Sequence, residues 1–308
     1  MHEEIKQESF RQLLGDSGVV AFAQMVLTES YVECTPGRGN AMRELLQRAF
    51  AMLSDARNDD SLFQVTVSYL VREVFKKDDP QFWFNQIYNN YRRQIKPERR
   101  VRNLSSWILG NRILDLGSGD GLTGQMLRNL GYQVGLADVL DYRDDMAKDL
   151  PFTLLRNPHE LPYPDRSFDT AVLFAVLHHV AAQDLLPLLD ELRRVSHRLV
   201  VEEDCYAVPD NIEGLDLVLR DDRHLRAFMS MAPADQLRYL MFVDYFSNAI
   251  TQGLTEMSVP FNFRTVQEWQ ALFLERGFEV RKILVRGFQK GFFNRSCHVW
   301  YVLDRRIT

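Results

Sequence analysis

The chain has 308 residues, of which 46% are hydrophobic and 26% are charged, so it can bury a sizeable core as one large domain or two small ones. Its formal net charge of -5 argues against a protein built around a polyanion. The three cysteines, Cys34, Cys205 and Cys297, lie far apart without a C-x-x-C pair, which indicates neither a disulfide framework nor a cysteine metal site.

The cysteine pattern and the apolar windows set the expected location. The N-terminal residues Met-His-Glu-Glu-Ile-Lys contain no apolar signal core. No window approaches the roughly 18 apolar residues of a membrane span. We therefore expect a cytoplasmic protein in a reducing compartment, without a membrane partner.

The first third of the chain has a helical pattern. Apolar residues recur at three- and four-residue steps, as at Met42, Leu45, Leu46, Ala49, Phe50 and Leu53. From Ile113 onward the pattern changes to strand then helix, repeated, which predicts a parallel sheet with helices on both faces. Residues 1–103 are therefore interpreted as a helical cap, and residues 104–308 as an α/β domain.

The run Arg112–Gly121 is the most informative stretch. Ile113, Leu114 and Leu116 predict a buried strand, and three alternating glycines then let the backbone turn sharply beside a ligand. The loop is Gly-x-Gly-x-Gly flanked by Asp115 and Asp120, whereas a dinucleotide fingerprint needs Gly-x-Gly-x-x-Gly. Two carboxylates would repel a diphosphate and suit a cation.

The next unit supports a ligand site. Leu122–Leu130 predicts a short helix ended by Gly131, and Gln133–Ala137 a second strand that ends in Asp138. Asp138 follows the first glycine by about 20 residues, the interval at which a Rossmann-like unit places an acid on a ribose diol. We expect this acid at the rim of the pocket.

Further strands are predicted at Phe152–Arg156, Phe168–Phe174 and Leu199–Glu203. Asp184 is expected to cap the helix before the last of these, with Pro187 in the first turn and a buried stripe of Leu185, Leu188, Leu189, Leu192 and Val195. Residues 205–263 then predict a helical insertion with an apolar pattern at Leu237, Leu240, Met241, Tyr245 and Ala249.

After the insertion the strand and helix rhythm resumes. Thr265 and Glu268 form a predicted capping box, and Gly277 ends the helix that they begin. Two final strands are predicted at Phe278–Val285 and Cys297–Leu303.

Two stretches carry a resemblance to the class I S-adenosylmethionine-dependent methyltransferases. Asp115–Gly121 is similar to the first motif of that family, and Leu161–Asp169 running into Ala171–Val180 resembles its stretch around the fourth strand. The resemblance implies an α/β fold with a seven-stranded, mostly parallel, Rossmann-like methyltransferase sheet. We expect the helical cap before this sheet and the insertion after its fifth strand, as a lid.

The resemblance also implies S-adenosylmethionine as cofactor and S-adenosylhomocysteine as product. It places an adenine contact at Asn157, where the family commonly has an aspartate, and the methionine end of the cofactor beside Phe174 and Ala175. The residues that it assigns to the cofactor are Asp115, Gly117, Ser118, Gly119, Asp138, Val139, Asn157, Pro158, Phe174 and Ala175.

When the methyl acceptor is a hydroxyl group, a base helps by removing its proton. His178 and His179 follow the fourth strand at the ligand-binding edge and are the candidate bases; the alternative is ordinary helix packing. Glu203 is the reserve candidate. Because strand residues alternate, it faces away from Glu202 and Asp204, so no metal site is expected. His224, in the insertion, is interpreted as a surface residue.

The insertion is rich in Met and aromatic residues, which favours a bulky, aromatic or lipophilic small molecule as methyl acceptor, with O-methylation preferred and N- or C-methylation open. Tyr88 or Tyr91 could contact the sulfonium through a cation–π interaction. A homodimer is consistent with these expectations, and nucleic acid is not the expected partner.

Two alternatives stay open. One is an RNA methyltransferase, because a basic patch occurs within residues 92–102, consisting of Arg92, Arg93, Lys96, Arg99, Arg100 and Arg102. The other is a non-catalytic subunit that binds the cofactor and serves a partner, since fold does not fix function.

Overall fold

A computed structural model describes residues 9–212, 215–254 and 259–306. The predicted absence of a signal core concerns residues 1–8, which lie outside these ranges. Six residues of the predicted insertion, 213–214 and 255–258, also lie outside them. Within the described ranges, no helix combines the length and the apolar character that a membrane crossing requires.

The chain divides into two compact units. The first comprises Met1–Asn90, Leu219–Phe261 and Gly287–Cys297, and the second Tyr91–Val218, Asn262–Arg286 and His298–Thr308. Most of the predicted insertion thus belongs to the unit that holds the N-terminal helices. Residues from Tyr91 belong to the sheet unit, although the helical pattern had placed the boundary at residue 103.

The first unit is helical in its described part. Its helices include α1 (Ser17–Cys34), α2 (Gly39–Ala56), α3 (Asp60–Tyr69), α4 (Trp83–Asn90), α9 (Arg223–Ser230) and α10 (Pro233–Tyr245), and π-helical turns follow α3 (Leu70–Val74) and α10 (Phe246–Thr251). Asp16 caps α1 and Asp59 caps α3, each accepting a hydrogen bond from a backbone N–H of the first turn.

The core of this unit is aromatic. In α2 the predicted stripe is buried except for Leu45, which is half-buried. The ring of Phe10 lies 5.0 Å from that of Phe242 in α10 and 4.2 Å from that of Tyr245. Most aromatic side chains of the insertion therefore form the core of the first unit.

The second unit holds a mixed sheet with the strand order β3-β2-β1-β4-β5-β8-β7, and a two-residue β6 (Arg264–Thr265) pairs with β5. The strands are β1 (Arg112–Leu116), β2 (Gln133–Asp138), β3 (Phe152–Leu154), β4 (Phe168–Phe174), β5 (Ser196–Tyr206), β7 (Phe278–Gly287) and β8 (His298–Arg305). Strands β1 to β5 run parallel, and β8 is antiparallel to β5. The predicted fold class is confirmed.

Helices α5 (Lys96–Leu104), α6 (Leu122–Asn129), α7 (Ala182–Val195) and α11 (Val266–Glu275) belong to the sheet unit, and α8 (Leu215–Asp221) follows β5. The capping box at Thr265 and Glu268 is present in α11. Gly131 and Gly277 both have positive φ at helix ends, as predicted.

The predicted start of α7 is wrong. Its N-cap is Ala181, so Asp184 lies inside the first turn and Pro187 lies inside the helix rather than in its first turn. The predicted apolar stripe is buried, as expected. Packing of this stripe on the sheet outweighs the capping preference of an aspartate, which is worth only about 1 kcal/mol.

One face of the sheet and helix α5 share a core. Val101 and Leu104 of α5 join the cluster that contains Phe174 of β4, Val200 of β5 and Trp300 of β8. Helix α5 therefore lies over the strands whose carboxyl ends form the candidate site.

Candidate cofactor and active site

The glycine loop begins where β1 ends. The backbone N–H groups of Gly117 and Ser118 both donate to the carbonyl of Ala137 in β2, at 2.8 and 3.2 Å. Gly117, Gly119 and Gly121 all have positive φ, between 57 and 72°. The loop is thus a tight turn tied to the neighbouring strand, in the position where open α/β sheets bind ligands.

Gly117 needs to be glycine for two reasons. Its φ of +66° is in the left-handed region, and a Cβ there would lie 2.5 Å from a side-chain methyl of Val176. Gly121 is similar, because its Cβ would lie 2.8 Å from that of Ala147. The glycine spacing recognised in the sequence is therefore required by the backbone path of the loop.

Asp138 closes the loop from the end of β2. Its carboxylate accepts hydrogen bonds from the backbone N–H of Gly119 at 2.8 Å, of Val139 at 2.7 Å and of Leu140 at 3.3 Å. The side chain is buried, and burial raises its pKa despite these hydrogen bonds. Asp138 is thus a buried support of the loop with acceptor capacity left over for a ligand hydroxyl, and its position at the rim of a ligand pocket stays a prediction.

Two polar atoms beside the loop are buried without a hydrogen-bond partner in the described part of the chain: Oδ2 of Asp115 and Oγ of Ser118. Burial raises the pKa of Asp115 to about 7, against a lowering by the nearby Arg100. Buried polar groups normally have partners, so both atoms fit a site that a polar ligand completes. Asp120, the other loop acid, forms an ion pair with Arg92 at 3.3 Å, so its charge has a partner without a ligand cation.

The segment that follows β3 starts next to Asp138, because the N–H of Leu155 donates to its carbonyl at 2.8 Å. Asn157 and Val139 are exposed, and Pro158 is half-buried. Asn157 lines a groove of about 700 Å³ together with Leu155, Leu161 and Glu191. The adenine contact at Asn157 stays a prediction.

The end of β4 has an unusual backbone. Ala175 has a φ of +58°, and its N–H donates to the carbonyl of Glu202 in β5 at 2.7 Å. Strain of this kind in a non-glycine residue clusters at functional sites. The ring of Phe174, just before it, packs edge-on against Trp300 at 5.7 Å.

The two predicted histidines lie in a 3₁₀ turn, Leu177–His179, directly after this point. Nδ1 of His178 lies 2.6 Å from Oε2 of Glu203, and both side chains are buried. The other oxygen of Glu203 accepts from the N–H groups of Val176 and Leu177, at 3.0 and 2.6 Å. Glu203 therefore orients His178, and its reserve role as a base stays a prediction. The ring of His179 lies 4.1 Å from that of His178.

A second histidine pair was missed by the sequence reasoning. Strand β8 places His298 opposite Asp204 of β5, and its Nδ1 lies 2.7 Å from Asp204 and 3.5 Å from Glu202. Burial lowers the pKa of His298, but the two acids outweigh it and raise the pKa overall. The side chains of β5 alternate as predicted, because Glu202 and Asp204 lie near His298, whereas Glu203 contacts His178.

Several cations of the basic patch within residues 92–102 form ion pairs or are partly buried. Arg92 and Arg93 both pair with the buried Asp144, at 2.9 and 3.0 Å, and Arg102 pairs with Glu98. Lys96 is half-buried, and burial together with the neighbouring Arg100 lowers its pKa to about 8, although acids nearby oppose the shift.

Tyr91 is buried in a π-helical turn, Tyr91–Ile95, within the sheet unit. Tyr88 belongs to the first unit, where its ring packs 5.7 Å from Phe84. His224 also belongs to that unit and is not a surface residue: it is buried, with Nε2 2.8 Å from Glu29 and Nδ1 3.5 Å from Arg295. Tyr91 thus belongs to the sheet unit, whereas Tyr88 and His224 both belong to the first unit.

Part of the sheet unit is similar to a known domain family, and the chain is distantly similar to solved structures. Residues 114–198 match a family model described as a methyltransferase domain. No curated protein matches the chain. A SAM-dependent methyltransferase from Methanosarcina mazei is 18% identical, over 67% of this chain and 98% of its own, with a TM-score of 0.46. A SAM-dependent methyltransferase from Thermotoga maritima is 15% identical, over 72% of this chain and 98% of its own, with a TM-score of 0.44.

The sheet order, the glycine loop and the matched segment together define a class I, Rossmann-like fold. Within this fold, residues 114–198 are similar to a methyltransferase domain.

Proposed function

We propose that this protein transfers a methyl group from S-adenosylmethionine to a small molecule of aromatic or lipophilic character, with O-methylation preferred. The observation that carries the proposal is the glycine loop, tied to Asp138 and lined by the partnerless buried atoms of Asp115 and Ser118, within the family-matched segment. The donor set fits a ligand with hydroxyl groups and a positive charge.

The cofactor supplies a methyl group already activated by a sulfonium. The chain then has to hold this end, align the acceptor and exclude water. The backbone of the loop would hold the donor, and Asp138 would offer its remaining acceptor capacity to the ribose hydroxyls. Ala175, with its positive φ, and the buried Phe174 would border the methyl-bearing end.

His178 is the proposed base. A hydrogen bond from Nδ1–H to Glu203 fixes the tautomer in which Nε2 is the basic nitrogen. Because Glu203 also accepts two backbone N–H groups, it cannot turn away from the ring without leaving buried donors unpaired. A base of this kind typically contributes about 10²- to 10⁴-fold to the rate.

Two features support a small acceptor over RNA. The cations of residues 92–102 are largely engaged with acids or half-buried, which leaves little of the patch for phosphates. In the insertion, Met229, Met231 and Met241 are half-buried side chains that can adapt to an apolar ligand. A homodimer and a cytoplasmic location belong to the same proposal, and light scattering and cell fractionation test them.

Calorimetry with S-adenosylmethionine and S-adenosylhomocysteine tests the donor site first. Binding of both is expected, and absence of both contradicts the proposal. Incubation with a panel of phenols, amines and short RNAs, read by mass spectrometry, then tests transfer. Methylated phenols support the proposed class, methylated RNA supports the RNA alternative, and binding without any transfer supports a non-catalytic subunit.

A further inference from the structure

Strand β7 brings an arginine to the face of the sheet that helix α5 covers. Leu284 of β7 packs on the core cluster that contains Phe174 and Trp300, and side chains two residues apart in a strand share a face. Arg286 therefore faces α5, where its Nη2 donates to Oδ1 of Asn103 at 3.3 Å. Strands β4, β5 and β8 separate β7 from β1, so Arg286 lies on the far side of the candidate site from the glycine loop.

The guanidinium of Arg286 is only partly satisfied. Its side chain is half-buried, its Nε is buried without a hydrogen-bond acceptor, and it forms no ion pair, all among the residues that the structure describes. Arg281 of the same strand differs, because it pairs with Glu279 at 2.7 Å and with Asp304 at 2.8 Å. A partly buried guanidinium without a carboxylate partner points to an acid that a ligand supplies.

Glu202 lies close to Arg286 without forming an ion pair with it. Burial lowers the pKa of Arg286, and the charge of Glu202 opposes this shift. The carboxylate of Glu202 lies 3.5 Å from Nδ1 of His298, the histidine that also pairs with Asp204. Glu202 thus balances part of the positive charge at this end of β5 and leaves the Nε–H of Arg286 for another acceptor.

A second donor on this face also lacks an acceptor within the described ranges. Nε1 of Trp300 is buried, and strand pairing places this residue opposite Glu202. Its ring packs 5.7 Å from that of Phe174, which borders the methyl-bearing end in the proposed function. Burial lowers the pKa of Lys96 to about 8, whereas Glu202 opposes the shift, so this ammonium lies near the same acid. Donors and cations thus surround a position beside Phe174, and an anionic oxygen would satisfy them.

The nearby acid favours a carboxylate over a phosphate. Glu202 would repel a dianionic phosphate about twice as strongly as a carboxylate at the same distance. A planar guanidinium also matches the two oxygens of a carboxylate.

We infer that Arg286 binds a carboxylate of the methyl acceptor through the Nε side of its guanidinium, so that the acceptor is an aromatic or lipophilic acid. Lys96 adds positive potential to the position of this carboxylate. The inference rests on the proposed function, because it takes the methyl group to be delivered beside Phe174. It narrows the acceptor from small apolar molecules in general to those that carry one acidic group.

Calorimetry on the protein saturated with S-adenosylhomocysteine tests the inference with three probes: benzoate, benzamide and phenyl phosphate. Benzoate is expected to bind at least about 10-fold more tightly than benzamide, which has the same ring without the charge, and more tightly than phenyl phosphate. Arg286→Gln should weaken binding of benzoate by about 10- to 100-fold, because a hydrogen bond between charged groups is lost. Its affinities for benzamide and for S-adenosylhomocysteine should stay within about 2-fold of the wild type.

Two variants serve as controls. Arg281→Gln makes the same change at an arginine of the same strand whose acids belong to the protein, and it should leave all affinities unchanged. Arg286→Lys keeps the charge without the guanidinium fork and should retain part of the affinity for benzoate. Thermal unfolding shows whether each variant folds. If Arg286→Gln does not fold, Arg286→Lys carries the test, with weakening confined to benzoate.

The outcomes separate the inference from the proposed function. Absence of benzoate binding, equal binding of benzoate and benzamide, or tighter binding of phenyl phosphate by the wild type overturns the inference while the proposed function stands. Benzoate affinity that Arg286→Gln leaves unchanged does the same, as does equal weakening of benzoate and S-adenosylhomocysteine. Failure of the wild type to bind S-adenosylhomocysteine overturns both.

Discussion

Replacement of Asp138 by alanine tests whether this acid supports the loop as well as the ligand. The carboxylate is buried and accepts three backbone N–H groups, from Gly119, Val139 and Leu140. Asp138→Ala removes all three acceptors while leaving the donors in place. A ribose contact alone, at an exposed rim, would change ligand affinity without changing stability.

The expected loss follows from these contacts. A hydrogen bond to a charged acceptor contributes about 1.5–3 kcal/mol, and the 3.3 Å bond from Leu140 is the weakest of the three. Burial opposes this gain, because it raises the pKa of the carboxyl. We expect the free energy of unfolding to fall by about 3 kcal/mol, and Tm by roughly 6–12 °C at about 2–4 °C for each kcal/mol.

Thermal unfolding without ligand, followed by calorimetry with S-adenosylhomocysteine, measures the two effects separately. Affinity should fall by about 10- to 100-fold. Asp141→Ala is the matched control, because Asp141 is exposed and pairs with Arg143, and it should change neither quantity much. An unchanged Tm for Asp138→Ala would refute the supporting role, and unchanged affinity in a folded variant would refute the ribose contact.

Three further predictions concern the same site. Asp115→Asn should raise the free energy of unfolding at pH 8 by up to about 4 kcal/mol and should have no such effect at pH 4. The reason is that burial raises the pKa of Asp115 in the folded state to about 7, so the wild type loses stability as the pH rises from 4 to 8. Equal urea unfolding curves of the variant and the wild type at pH 8 would contradict this. Glu203→Gln should lose about 3–5 kcal/mol, since it breaks the buried pair with His178, and a loss below about 1 kcal/mol would argue against that pair. Gly117→Ala should lower Tm and the affinity for S-adenosylhomocysteine more than Gly131→Ala does. Both glycines have positive φ, but only at Gly117 would a Cβ meet neighbouring atoms within 4 Å. Similar losses in the two variants would mean that positive φ alone causes them.

Local signals predicted the sheet unit well. The strands at Gln133–Asp138 and Phe168–Phe174 and the capping box at Thr265 depend on neighbouring residues in the chain, through side-chain alternation and backbone capping. Prediction failed where tertiary packing outweighed a local signal. Asp184 is a good capping residue, but helix α7 begins earlier because its apolar stripe packs on the sheet.

The sequence by itself determined the glycine loop, because residue type directly restricts φ, and Gly117, Gly119 and Gly121 permit the turn that the structure contains. Only the tertiary structure decided which charges meet. Glu203 supports His178 from a neighbouring strand, and Arg100 reaches the site because α5 packs across the sheet. Such pairings join residues distant in the chain, and local residue preferences cannot encode them because they depend on how strands and helices pack.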